Sequence, residues 1–232
     1  MIDSSTEGPQ EDNNMASTRQ QVARTKRRAQ TEAPSDLTRK YILKAAAKLF
    51  RDQGYVATTL RQIADASGIQ AGSIYYHFRS KDEILAEILD VGIDEVQKAV
   101  EERLSRLPAN ASARQKIAAA IEGHLMGLLQ HGDFTSASIR VYGQLPAELK
   151  RSNQARRASY SQFWDGLLAE AGERGELRKG VDLHIARLVI LGAVNWTVEW
   201  YDAKRGSVEA VAKEIAFLIS GGTFGSQVGK KA

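Results

Sequence analysis

Apolar residues recur every three or four positions along most of the chain from Ser35 onward, which is the period of an amphipathic helix. The strict alternation that marks a β-strand competes with this pattern nowhere in the sequence. The pattern predicts nine helices, at about 36–53, 59–67, 71–78, 81–107, 117–128, 134–145, 153–171, 182–202 and 208–219. The predicted fold class is therefore all-α, with about nine helices.

Capping signals support the ends of these helices. Thr59 is a favourable N-cap residue for the second helix, and Gly68 ends it. Ser80 and Glu83 form an S-x-x-E capping box in front of the long helix 81–107, in which both side chains satisfy free amides of the first turn. The long helix is thus expected to start directly after the short third helix.

Charge is distributed unevenly, although the net charge is only +4. Residues 1–34 are polar, show no apolar period and end at Pro34, so we expect a disordered tail. Within it, residues 16–30 hold basic residues and no acid, and residues 36–80 hold seven basic and three acidic residues. Positive charge gathered in the N-terminal third suits a polyanion such as DNA, although a solvated helix face also accounts for any single basic residue.

The chain has no cysteine, which excludes disulfides, thiolate metal sites and a cysteine nucleophile and fits a reducing compartment. The N-terminus has no apolar leader segment, and the longest strongly apolar stretch, Leu188 to Val194, is far too short to cross a membrane. We therefore expect a soluble, cytoplasmic protein with no membrane partner.

Enzymatic chemistry has no support in the motifs. The four histidines have no metal-ligand spacing, and the sequence contains no nucleophile elbow, phosphate-binding loop or dinucleotide fingerprint. We therefore expect no enzyme activity, no metal and no cofactor. Two alternatives stay open: a helical enzyme whose site is assembled in space, and a structural DNA-coating protein. The second would not need an apolar second domain of about 130 residues, at the usual size of a domain with its own core.

The run TTLRQIADASGIQAGSIYYHFRSKDEIL, residues 58–85, closely resembles the DNA-binding domain of the TetR family of transcriptional regulators. The residues that fill the fixed positions of the family pattern are Thr59, Ile63, Ala64, Gly68, Gly72, Tyr75, His77, Phe78, Lys81 and Leu85. The resemblance implies a helix-turn-helix DNA-binding domain over 35–82 and a ligand-binding and dimerisation domain over 83–222. Residues 223–232 are then a flexible C-terminus.

The resemblance also implies which residues meet double-stranded operator DNA. These are Thr59, Arg61, Gln70, Ala71, Gly72, Ser73, Tyr75, Tyr76, His77 and Lys81. Arg61 matches a base-reading position, with a phosphate-facing or solvent-facing arginine as the alternative. Tyr75, His77 and Lys81 match phosphate contacts, and for His77 a packed core histidine is the alternative.

The basic residues of the tail suggest a further DNA contact. Arg24, Lys26, Arg27 and Arg28 could lie along a groove, as basic arms do. Deleting residues 1–30 should then weaken DNA binding and reduce its salt dependence.

A small-molecule pocket is expected among the helices of the second domain. The candidate ligand-binding residues are Phe134, Arg140, Tyr142, Arg156, Arg157, Tyr160, Trp164, Trp196 and Trp200. The arginines would meet an anion and the aromatic residues an apolar skeleton. The alternatives are that the arginines lie past the edge of the core and that the tryptophans pack in the core or at a dimer interface. The span AVNWTVEWY, residues 193–201, is similar to the equivalent helix of TetR-type repressors of lipid and steroid breakdown, which sense acyl-CoA thioesters.

The family layout implies that the helices at 182–202 and 208–219 form a homodimer interface. Such a dimer would place two reading helices about 34 Å or somewhat more apart, on a palindromic operator. We expect a repressor that is released when an effector, such as an acyl-CoA or another lipophilic anion, shifts the long helix 81–107 that links the two domains.

Overall fold

The computed structural model describes residues 34–130 and 132–223. Within these ranges the chain forms nine α-helices and no β-strand, and the predicted all-α class with about nine helices is confirmed. The helices are α1 (Pro34–Gln53), α2 (Leu60–Ala66), α3 (Lys81–Leu104), α4 (Ala113–Leu129), α5 (Asp133–Val141), α6 (Ala147–Glu173), α7 (Leu183–Asn195), α8 (Thr197–Trp200) and α9 (Val208–Thr223). Two 3-10 helices cover Ala71–Tyr76 and Tyr142–Gln144.

Some predictions fall outside the described residues. They are the disordered tail up to residue 33, with its basic groups Arg24, Lys26, Arg27 and Arg28, and the C-terminus from residue 224. The chain divides into two compact units, Met1–Lys40 and Tyr41–Ala232. In the first unit, the Thr38 hydroxyl donates to the Pro34 carbonyl at 2.9 Å within the opening turns of α1. Both hydrophobic cores lie within the second unit.

The segment Ala71–Tyr76 is a 3-10 helix rather than the longer α-helix predicted over 71–78. The Ser73 N–H bonds the carbonyl three residues earlier, that of Gln70, at 2.9 Å, and such 3-10 turns are common in short connectors. The end of the segment is fixed by the carbonyl of Ile74, which accepts the backbone N–H groups of His77 at 3.0 Å and Phe78 at 2.9 Å. The turn before it contains Gly68 at φ +71°, a left-handed conformation that glycine adopts readily.

The single helix predicted over 182–202 is interrupted at Trp196, between α7 and α8. The Thr197 hydroxyl donates to the Val194 carbonyl at 2.6 Å, and this local bond competes with the regular helical ladder. Apolar periodicity continues across such a break, so the sequence pattern does not detect it.

Capping accounts for two helix starts. Thr59 and Gln62 form a full capping box at α2. Ser80 accepts from the Glu83 amide at 3.1 Å, whereas the Glu83 carboxylate accepts from the Arg79 amide at 2.7 Å. The predicted Ser80 cap at α3 therefore forms, but the Glu83 carboxylate bonds the Arg79 amide instead of the Ser80 amide that a capping box requires.

Two hydrophobic cores share the helix α3. The first, here called the head core, joins α1, α2 and the 3-10 helix Ala71–Tyr76 to the first half of α3 and to α5. The second joins the later part of α3 to α4, α6, α7 and α9. Gly123 lets α4 approach α3 closely, because a Cβ there would lie 2.6 Å from the Val100 Cα. Among the described helices, none is long and apolar enough to cross a membrane.

Candidate functional site

Most of the residues predicted to meet DNA are exposed on the surface of residues 35–82, here called the head. Thr59, Arg61, Gln70, Ala71, Gly72, Tyr75 and Tyr76 are exposed, and Ser73, His77 and Lys81 are half-buried. Tyr75 is 61% and Tyr76 is 89% exposed. Beneath them Ile63, Ile74 and Phe78 are fully buried in the head core. Residues 59–81 thus have a buried apolar side and an exposed side that can bind a partner.

Lys81 has a structural role that the sequence did not reveal. Its ammonium donates to the carbonyls of Tyr55 and Thr58, both at 2.7 Å, and lies 4.2 Å from the centre of the Tyr55 ring. Burial lowers the pKa of Lys81. Next to it, the Tyr55 hydroxyl donates to the Asp82 carboxylate. Two of the three N–H donors of the Lys81 ammonium therefore connect the start of α3 to the loop before α2.

A cavity of about 90 Å³ lies between α3, α4, α5, α6 and α7. Its apolar wall comprises Gly92, Ile93, Val96, Ile139 and Leu191. Its polar wall comprises His124, Thr135, Ser138, Arg157, Tyr160, Ser161 and Asn195. Gly92 allows the close approach of α5, because a Cβ there would lie 3.1 Å from the Phe134 carbonyl oxygen. An apolar cleft with a few convergent polar groups is typical of a small-molecule site.

A chain of three polar side chains crosses the cavity wall. His124 is buried, with Nδ1 2.8 Å from the Tyr160 hydroxyl and Nε2 3.0 Å from Asn195 Oδ1. Burial lowers the pKa of His124 to about 4, and burial also raises the pKa of Tyr160. The imidazole is therefore neutral at pH 7. Because an amide oxygen can only accept, Nε2 carries the proton, and Nδ1 accepts from the Tyr160 hydroxyl.

Arg157 and Arg156 are neighbours on α6 with different surroundings. Arg156 pairs with Asp90 at 3.2 Å and with Asp94 at 2.5 Å. Arg157 lines the cavity and lies 3.9 Å from the centre of the Tyr142 ring. No carboxylate within residues 34–130 or 132–223 forms an ion pair with Arg157. Arg157 is thus a cation available to an anion in the cavity.

Among the nine predicted ligand-binding residues, the structure brings only Arg157 and Tyr160 to the cavity wall. Trp164 is fully buried behind it, with its ring centre 6.4 Å from that of Tyr160. The others lie elsewhere: Phe134 and Tyr142 pack against the head core, Arg140 and Arg156 form ion pairs, and Trp196 and Trp200 are 66% and 49% exposed. Helical spacing predicted that Arg156 and Arg157 extend apolar faces of one helix, but the ion pairs and the break at Trp196 direct the nine residues to different surroundings.

Several cavity residues were missed by sequence reasoning. His124 looked like a satisfied structural histidine, which its two hydrogen bonds support. Ser138 and Asn195 carry no motif; their only signal is a polar residue on the apolar face of a predicted helix. Within the described residues no group of three or more acidic or histidine side chains could hold a metal ion.

Large apolar side chains are exposed on α7, α8 and α9 and at Trp196 between α7 and α8, and these residues together are here called the α7–α9 face. Its large side chains are Ile185, Leu188, Val189, Trp196, Trp200, Phe217 and Leu218. All of them are at least 48% exposed. A surface of this kind typically marks an interface with another protein.

Two family models match the chain. One, described as bacterial regulatory proteins of the tetR family, matches residues 42–88, and the other, a tetracyclin repressor-like C-terminal domain, matches residues 110–223. The fatty acid metabolism regulator protein of Bacillus subtilis (strain 168) is 26% identical over 183 residues, covering 78% of this chain and 93% of that protein. The HTH-type transcriptional repressor KstR2 of Mycolicibacterium smegmatis is 28% identical over 199 residues, covering 82% and 93%.

A solved structure agrees with these matches. A transcriptional regulator of the TetR/AcrR family from Thermobifida fusca is 33% identical to the chain, covers 78% of it and 95% of its own length, and superposes with a TM-score of 0.58. These matches confirm the predicted class: the chain belongs to the TetR family of bacterial regulatory proteins, which are transcriptional regulators and not enzymes.

Proposed function

We propose that this protein represses transcription from a palindromic operator in the cytoplasm and is released when a lipophilic anion, such as an acyl-CoA thioester, enters the cavity. The observation that carries the proposal is Arg157, a cation beside an apolar cavity with no carboxylate partner among the described residues. Charged groups in such places need a counter-charge, and a bound anion supplies it. Relatives named for fatty acid metabolism and for repression support this ligand class and this direction of control.

The head, residues 35–82, is the proposed DNA-binding domain. Arg61, Gln70 and Tyr76 offer exposed hydrogen-bonding groups for base edges, and Tyr75 and His77 would contact phosphates. Lys81 acts by positioning α3 against the loop before α2, because two of its three N–H donors bond the Tyr55 and Thr58 carbonyls. Because Ala71, Gly72 and Ser73 are small, DNA shape is expected to contribute to specificity.

Residues 83–222 are the proposed ligand-binding and dimerisation domain. The α7–α9 face would pack against the same face of a second copy about a twofold axis, and Trp196 and Trp200 would be buried there. The dimer would present two heads about 34 Å or somewhat more apart, matching successive turns of the major groove. This assignment replaces ligand contact as the role of the two tryptophans.

Coupling between the cavity and the head would run through α3 and α5. Both helices line the cavity, through Ile93 on α3 and Ile139 on α5, and both contribute to the head core, through Leu89 and Val141. The cavity of about 90 Å³ is smaller than the roughly 150 Å³ that accommodates benzene in an engineered protein cavity. A larger ligand must therefore move the cavity walls, and the head would move with them.

Ion pairs at the two ends of α5 strengthen this connection. Asp133 at its start accepts from Arg51 in the last turn of α1. At its end, Arg140 donates to Glu199 and to the Val198 carbonyl, both at 3.0 Å. These contacts thus connect the start of α5 to α1 in the head and its end to α8. The helix α8 directly follows α7, which contributes to the cavity wall.

Operator release tests the proposal. Genomic fragments bound by the protein would be selected first, and binding to the best fragment would be measured by fluorescence anisotropy with and without a series of acyl-CoA thioesters. We expect at least one thioester to weaken operator binding, and free coenzyme A to have little effect. Arg61→Ala should weaken operator binding while leaving thioester binding unchanged. Operator affinity that no thioester changes would contradict the proposed effector class.

A further inference from the structure

Two hydrogen-bond donors in the cavity wall have no acceptor within the described protein. Ser138 on α5 is only 4% exposed and lines the cavity, yet no described residue forms a hydrogen bond with its hydroxyl. Its neighbour Thr135 differs, because that hydroxyl donates to the Leu128 carbonyl at 3.0 Å. A serine inside a helix commonly bonds the carbonyl four residues earlier, and Ser138 does not. The Ser138 hydroxyl therefore has no hydrogen-bond partner within the described protein.

Asn195 on α7 supplies the second unused donor. Its Oδ1 accepts from His124 Nε2, and the other imidazole nitrogen is occupied by the Tyr160 hydroxyl. The amide nitrogen of Asn195 has no acceptor among the described side chains and carbonyls near the cavity. The histidine has both nitrogens satisfied, so it fixes the orientation of Asn195 rather than competing for a ligand.

Ser138 on α5 and Asn195 on α7 line the same cavity as Arg157 on α6. A ligand with one anionic group and a purely hydrocarbon remainder would satisfy Arg157 and leave Ser138 and Asn195 without acceptors. Removing such donors from water without a partner opposes binding. An oxygen in the hydrocarbon part would satisfy them, and sites built to bond a polar group discriminate strongly against analogues that lack it.

We propose that the effector carries, within its hydrocarbon part and in addition to its anionic group and any thioester carbonyl, a neutral oxygen acceptor, a carbonyl or hydroxyl, that the Ser138 hydroxyl and the Asn195 amide bind inside the cavity. This inference rests on the proposed function and narrows its ligand class from lipophilic anions to those whose hydrocarbon part carries an oxygen. An unmodified saturated acyl chain would then be a weak effector. Ser138 and Asn195 determine specificity, whereas Arg157 supplies general affinity for the anion.

The test compares matched ligands on the wild-type protein. Acyl-CoA thioesters of one chain length, either saturated or carrying a single oxo or hydroxyl group at each chain position in turn, would be titrated by calorimetry. At least one oxygenated thioester should bind roughly ten- to hundredfold more tightly than the saturated one, the range expected for one satisfied hydrogen bond in a buried site. Equal binding of all members would overturn the inference and leave the proposed effector class standing. Failure of every thioester to bind would overturn both.

Two variants assign the preference to these residues. Ser138→Ala keeps the Cβ and removes only the unpartnered hydroxyl, so folding should be intact and the preference for the oxygenated ligand should fall several-fold. Ser136→Ala is the matched control, because Ser136 lies on the same helix but lines a different groove, with Lys44 and Arg51. Asn195→Ala should reduce the preference as well. A preference that persists in both Ser138→Ala and Asn195→Ala would contradict the assignment.

Discussion

The head and the cavity use polar side chains in opposite ways. In the head, Arg61, Tyr75 and Tyr76 are exposed above a buried apolar layer. In the cavity, His124 and Tyr160 are buried and bonded to each other, and burial shifts the pKa of both. The head is therefore suited to a large charged partner through surface contacts that salt screens. The cavity is suited to a small ligand whose polar groups must match fixed donors and acceptors.

The largest expected effect separates two aromatic residues of the head. Phe78→Ala should reduce the free energy of unfolding by about 3–5 kcal/mol, because Phe78 is fully buried in the head core. Tyr76→Ala should change it by less than about 0.5 kcal/mol, because that ring is 89% exposed, and should instead weaken operator binding. Urea denaturation and anisotropy measure the two quantities. Equal destabilisation by both substitutions would contradict the division of roles.

The second prediction concerns pH and the cavity. The folded protein holds the pKa of His124 at about 4, below the usual value of 6.5, so the unfolded chain binds more protons between these two pH values. The contribution of His124 to the free energy of unfolding is fully present above pH 6.5 and is lost as the pH falls towards 4. Between pH 7 and pH 4.5 the loss should be about 2–3 kcal/mol, from 1.36 kcal/mol per pKa unit.

Urea denaturation at the two pH values measures this loss. His124→Gln should remove that share of the acid sensitivity. An identical acid response of wild type and His124→Gln would show that the imidazole is not held neutral by burial.

The third prediction compares Arg157 with its neighbour Arg156. Arg157→Gln should weaken binding of an anionic effector about ten- to hundredfold, the effect of a lost charged hydrogen bond. Arg156→Gln should change it less than about threefold, since its exposed ion pairs with Asp90 and Asp94 contribute little. Calorimetry with one acyl-CoA thioester gives both values. A larger effect at Arg156 would move the anion site out of the cavity.

The smallest effect is expected at Lys81. Lys81→Met should reduce the free energy of unfolding by roughly 1 kcal/mol, because two hydrogen bonds to the Tyr55 and Thr58 carbonyls are lost from a partly exposed site. Operator affinity should fall by a similar factor at every salt concentration. If the slope of log affinity against log salt fell by about 0.9, Lys81 would be a phosphate contact, as the family resemblance implies.

The sequence by itself determined the parts of this protein that depend on neighbouring residues. The helix period gave the all-α class, Thr59 and Ser80 marked helix starts that the structure confirms, and the contiguous run 58–85 identified the family. These predictions were correct because capping, helical periodicity and the helix-turn-helix motif all depend on residues that are close together in the sequence. The ten predicted DNA-binding residues fall within 23 consecutive positions, 59–81, so their grouping on the head needs little tertiary information.

Only the tertiary structure decided the cavity. His124, Ser138, Arg157 and Asn195 come from four helices, and no local pattern relates them. The structure also separated Arg157 from Arg156 and Arg140, because carboxylates on other helices pair with the latter two. The same is true of Lys81, whose partners lie more than 20 residues earlier. Long-range packing sets which polar groups are paired, and pairing determines which of them remain available to a ligand.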